Sequence, residues 1–114
     1  MTVSKTLTEM PDQELATLLL QTADEVDRRW LFSRMSSETF RIRRIADGIS
    51  RRSGGVRWSM TVAKTLTEMS DQELATLLLQ AADEVDRRWL FSRMSSETFR
   101  IRRIADEISR RSGR

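Results

Sequence analysis

The sequence predicts an all-α protein: a tandem duplicated helical hairpin whose halves form an antiparallel four-helix bundle with pseudo-two-fold symmetry. Three observations carry this. Shifting the 114-residue chain by 59 positions superposes residues 1–55 on 60–114 with only five differences: Ser4/Ala63, Pro11/Ser70, Thr22/Ala81, Gly48/Glu107 and Gly55/Arg114. Within each copy, apolar residues recur at helical spacing in two stretches. Each copy is also acidic first and basic second. Residues 1–27 and 60–86 each carry a net charge of −5, and 28–55 and 87–114 each carry +6.

The units implied are hairpin 1–55, linker 56–59 and hairpin 60–114, together one four-helix domain. Met60 stands where the first copy has Met1, so the chain reads as two whole units joined head to tail. The junction Gly-Gly-Val-Arg-Trp-Ser is unlike a Gly/Ser linker, which favours natural duplication. Two copies at this period are too few and too long for a solenoid. They are what fusing the protomers of a two-fold dimer leaves behind, and a short connection suits an up-down bundle.

Within one unit, Thr2–Glu9 is polar with a weak alternation (Val3, Leu7), which suggests a short strand or extended arm. The first helix then begins at a clear signal. Ser70-Asp71-Gln72-Glu73 spells a capping box, and the first copy has Pro11 in place of that serine, tolerated at a helix start. Leu15, Leu18, Leu19, Thr22, Ala23, Val26 and Trp30 share a face, with Asp24–Arg28 and Glu25–Arg29 as i,i+4 pairs. No breaker stands before about Arg34, so the helix is expected to reach it, with the turn at Arg34–Ser37.

Ser36 or Ser37 is expected to cap the second helix, with Glu38 in its first turn. Ile42, Ile45, Ala46 and Ile49 form its apolar face, Arg51 and Arg52 suit its negative end, and Gly54 stops it. Gly48 lies mid-helix where the second copy has Glu107, so the first copy's second helix is expected to be the weaker. Folding the hairpin would set the acidic start of helix one beside the basic end of helix two. A strand followed by two helices also resembles the order of a ribbon-helix-helix unit. That fold has a short first helix, which the unbroken stretch Asp12–Arg34 does not fit.

The chain has no histidine, cysteine or tyrosine. Nucleophile–base pairs and thiolate or imidazole metal sites are therefore excluded. Asp24, Glu25 and Asp27 are followed at once by Arg28 and Arg29, so salt bridges rather than a cation site are expected. There is no glycine-rich phosphate loop. No catalytic residues, metal or cofactor are assigned, and the chain is not expected to be an enzyme. The longest apolar run, Ala16–Leu20, is far too short to span a membrane, and a cytoplasmic location follows by default.

What remains is surface. Arginine supplies 18 of the 20 basic residues. Arg43, Arg44 and Arg51 are expected opposite the isoleucine stripe, flanked by Arg41 and Arg52. Arg100, Arg102, Arg103, Arg110 and Arg111 repeat the set. This is a candidate face for a protein partner or for nucleic acid, since arginine grips phosphate in bidentate fashion. Against the second use, net charge is only +3 and Asp47 interrupts the row. Phe40 falls on the arginine side. With Leu20, Leu31 and their copies Leu79, Leu90 and Phe99 it makes a candidate self-association surface. Trp58, in the linker, either folds back over the end of the bundle or anchors a partner. The expected function is a non-catalytic interaction or assembly module, a fused pseudo-dimer able to form a homodimer of the fused chain. The alternative is a small nucleic-acid-binding regulator.

Overall fold

A computed structural model of the chain describes residues 7–30, 34–54, 58–89 and 93–112. Among them lie five helices: α1 (Asp12–Arg29), α2 (Arg34–Ser53), α3 (Met60–Glu68), α4 (Asp71–Arg88) and α5 (Arg93–Ser112). Residues 7–9 are helical ahead of them. The chain is all-α. Its radius of gyration, 12.9 Å, matches the roughly 13 Å expected of one compact unit of this length.

The expected apolar faces meet. Leu15, Leu19, Ala23 and Val26 of α1 and Ile42, Ile45 and Ile49 of α2 are buried, as are their copies in α4 and α5. α1 packs most extensively on α2, and α4 on α5. Between the copies, α2 packs on α5 and α1 on both α3 and α4. Burying these side chains is the main driving force, at about 1.5–3 kcal/mol each.

Local signals behave as their chemistry dictates. The Ser70 hydroxyl accepts from the Glu73 N–H (3.1 Å), and the Glu73 carboxylate accepts from the Ser70 N–H (2.9 Å), closing the capping box. Pro11 precedes α1 without a side-chain cap. After α2, Gly54 turns into the left-handed region (φ 100°) and its N–H bonds the Ser50 carbonyl.

Several expectations are corrected. The arm read from Val3 and Leu7 is helix where it is described, at residues 7–9 and at Met60–Glu68 in the second copy. Those two apolar residues are four apart, which is helical spacing. Ser59 caps the helix by accepting from the Val62 N–H (3.2 Å), and Leu66 is buried beneath it. Helix one stops at Arg29, not Arg34, because Trp30 leaves helical geometry (φ −126°, ψ 47°) and packs against the core. Helix two already starts at Arg34, so the expected turn at 34–37 and its Ser36 or Ser37 cap are helix instead. Glu38 therefore lies beyond the first turn.

Candidate functional site

Arg29 and Arg88 are the most heavily engaged side chains. Both lie at the edge of a leucine stripe, three residues after a buried valine, and both are largely buried. Arg29 reaches from the end of α1 to the start of the second copy's first helix. Its Nη1 pairs with Asp71 (2.8 Å), and its Nη2 donates to the carbonyls of Leu66 (2.9 Å) and Met69 (2.6 Å) at the end of α3. Arg88 makes the reciprocal contacts with Asp12 (2.8 Å) and the carbonyls of Leu7 (2.9 Å) and Met10 (2.6 Å). A guanidinium at the negative end of a helix supplies the donors its last carbonyls lack.

Behind each arginine stands a buried glutamate. Glu25 accepts from Arg29 Nε (2.6 Å) and also from Arg28; Glu84 does the same with Arg88 and Arg87. Burial works to raise these carboxyls, but the hydrogen bonds and charges of the arginines outweigh it and hold both below the ordinary glutamate range. The acidic start of each first helix thus also faces the basic end of the other first helix, a contact between the copies that the hairpin argument did not anticipate. Arg28 pairs with Glu25 rather than Asp24. The sequence signal was present: Arg29 falls in line with Thr22 and Val26, on the side that must be covered.

Arg43 is a second correction. It turns toward α1 rather than away from it, pairing with Asp24 (2.5 Å) and Asp27 (2.7 Å). It also donates to the Thr39 hydroxyl, which in turn donates to Asp27. Burial acts against its charge, but the bonds to both aspartates prevail and raise its pKa. Arg102 repeats this with Asp83, Asp86 and Thr98. The carboxylates a cation would want are thus engaged by arginine.

The rest of the arginine set divides. Arg51 pairs with Asp47, Arg110 with Asp106 and Glu107, and Arg111 with Glu107, each on its own helix and exposed. Arg44, Arg52 and Arg103 are exposed and meet no carboxylate among the described residues. Arg41 and Arg100 sit at the α2–α5 contact. Arg41 approaches Glu97 (3.4 Å) and Arg100 approaches Glu38 (3.6 Å). Each guanidinium lies 4.7 Å from the ring centroid of the preceding phenylalanine, Phe40 or Phe99.

Phe40 and Phe99 are 46% and 47% exposed. On the helical wheel each heads an outward stripe, Phe40–Arg44–Asp47–Arg51 and Phe99–Arg103–Asp106–Arg110, and the arginine and aspartate positions are exposed too. Leu79 is exposed, whereas Leu20 is partly buried against the core. Leu31 and Leu90 lie outside the described residues.

No protein-family model, curated protein or solved structure matches the chain.

Trp58 is 55% exposed and borders two grooves beside α1. The junction itself is pinned: Gln21 Nε2 donates to the Ser59 carbonyl (2.9 Å), and the Ser59 N–H donates back to Gln21 Oε1 (2.8 Å). Sequence reasoning missed this pin, since nothing local marks a helical glutamine as the partner of a backbone 38 residues away. Among the described residues no helix is long and apolar enough to cross a membrane.

Proposed function

We propose that the chain is a non-catalytic helical assembly module: two near-identical hairpins fused as a pseudo-two-fold four-helix unit, which associates with a second copy of itself. What carries the reading is the pair of phenylalanines, each nearly half exposed beside the contact between the second helices. Exposed apolar surface rimmed by charged residues is the kind of patch that an interface buries. The charges around it fit a self-complementary face. Along each stripe arginine and aspartate alternate, so antiparallel docking of two copies sets Arg44 of one against Asp47 of the other. The reciprocal contacts of Arg29 with Asp71 and Arg88 with Asp12 support the pseudo-dimer.

Light scattering tests it. The chain should show a mass above monomer that falls with Phe40→Ala and Phe99→Ala together, while helicity persists. A strict monomer at high concentration argues against it. A second reading, a nucleic-acid-binding regulator, rests on exposed Arg44, Arg52 and Arg103. It expects retention on DNA or RNA at about 50 mM salt that falls steeply as salt rises.

A further inference from the structure

The two copies are nearly identical in sequence, but their first helices are not equally covered. On α1, the face Gln13–Thr17–Gln21–Asp24 lies beneath the junction. Thr17 is 6% exposed and Gln21 is 2%. On α4, the matching residues are Gln72, Thr76, Gln80 and Asp83. Gln72 and Thr76 are exposed, and Gln80 is only partly covered. The Asp24 side chain is 42% exposed and that of Asp83 72%, although both pair with the equivalent arginine.

Among the described residues, the junction is a segment that covers α1. In the first copy the backbone of Ser59 closes a two-bond ring with the Gln21 amide, and Trp58 borders the grooves between α1 and α3. Fifty-nine positions earlier, the residue matching Ser59 would be the one ahead of Met1. Gln80 correspondingly holds a buried Oε1 with no hydrogen-bond partner. A buried amide oxygen left unmatched is costly, and it marks where an N–H fits.

We propose that Gln80 and the adjoining face of α4 form a docking site for an extended Trp-Ser segment joined ahead of Met1, held as Gln21 holds Trp58-Ser59. The ligand is main chain first: one residue in extended conformation, as Ser59 is (φ −118°, ψ 120°), presenting its N–H to Oε1 and its carbonyl to Nε2. The indole is the second determinant, lying beside Thr76 and Asp83 as Trp58 borders the grooves that Thr17 and Asp24 line. The site lets a preceding repeat continue onto this chain through the same junction that joins its two halves.

The test adds Val-Arg-Trp-Ser directly ahead of Met1 in the full chain and follows thermal unfolding. The midpoint should rise by about 8 °C, the shift expected of roughly two net hydrogen bonds in a chain of this size. Gln80→Leu should abolish the increment, whereas Gln21→Leu should lower the starting midpoint and leave the increment intact. Val-Arg-Trp-Pro, which removes the N–H that Oε1 needs, should give a clearly smaller rise than Val-Arg-Trp-Ser. In the extended chain the serine amide should be protected from hydrogen exchange, and exposed again with Gln80→Leu. An unchanged midpoint, a rise that survives Gln80→Leu, or equal rises with serine and proline would each overturn the proposal.

Discussion

At the scale of single residues, the Glu25–Arg29 and Glu84–Arg88 pairs stand at the centre of dense charged contacts. Each arginine joins a buried carboxylate, a second carboxylate on the other copy, and the terminal carbonyls of a short helix. Removing it leaves a buried glutamate under-compensated and a helix end unsatisfied. Arg29→Met and Arg88→Met are each expected to cost about 3 kcal/mol in urea unfolding, the range for breaking one side of a buried pair. The glutamates also set an acid limit. A carboxyl held below its ordinary value in the folded chain binds protons more readily when unfolded, so stability rises with pH across that window. The contribution is complete above the ordinary glutamate value of 4.5 and is lost as pH falls through the lower folded-state values. Urea midpoints from pH 6 to 3 should therefore fall with acid, and Glu25→Gln with Glu84→Gln should flatten that fall. Unchanged steepness in the double variant would show that other carboxylates set the limit.

At the scale of helices, the two copies make the chain its own control. Gly48 sits inside α2 where Glu107 sits inside α5. Glu107 pairs with Arg110 and Arg111. Gly48→Glu should stabilise by about 1 kcal/mol from propensity alone, and Glu107→Gly should destabilise by a similar amount; an unchanged denaturation midpoint in both would count against the argument. These elements were legible beforehand because their determinants are local. The leucine stripe of α1, the isoleucine stripe of α2, the Ser70–Glu73 box and Gly54 are each specified within a turn or two of helix. The failures share the opposite cause. The chain turns at Trp30 without a glycine or proline, because the indole finds the core. Residues 7–9 and Met60–Glu68 are helical with Leu7 and Leu66 buried and their carbonyls held by Arg88 and Arg29 of the other copy. Arg43 faces inward because Asp24 and Asp27 wait on the neighbouring helix. Of the candidate site, Phe40 and Phe99 were legible from the wheel, since a lone aromatic off the apolar stripe has nowhere inside to go. The junction's pin to Gln21 was not, being a long-range backbone contact.

At the scale of the whole molecule, the cross-copy contacts among the described residues are nearly all reciprocal. Arg29–Asp71 matches Arg88–Asp12, Arg41–Glu97 matches Arg100–Glu38, and the carbonyls of Leu66 and Met69 match those of Leu7 and Met10. Two separate copies would make both members of every such pair, so the covalent junction is not needed for any of them. What fusion adds is effective concentration, converting a bimolecular encounter into an intramolecular one. Among the described residues one contact is unmatched, that of Gln21 with Ser59. A chain of residues 58–114 carries its own Trp58-Ser59 and would form that contact twice in a dimer, once on each Gln80. Such a half-chain is too small to bury a core alone. It should therefore be unfolded at low concentration and a helical dimer at high concentration, with a melting temperature that rises with protein concentration. Sedimentation equilibrium alongside circular dichroism checks this. A half-chain that is helical and monomeric across the range, or that never folds, would show that the two hairpins do not stand to each other as the protomers of a dimer.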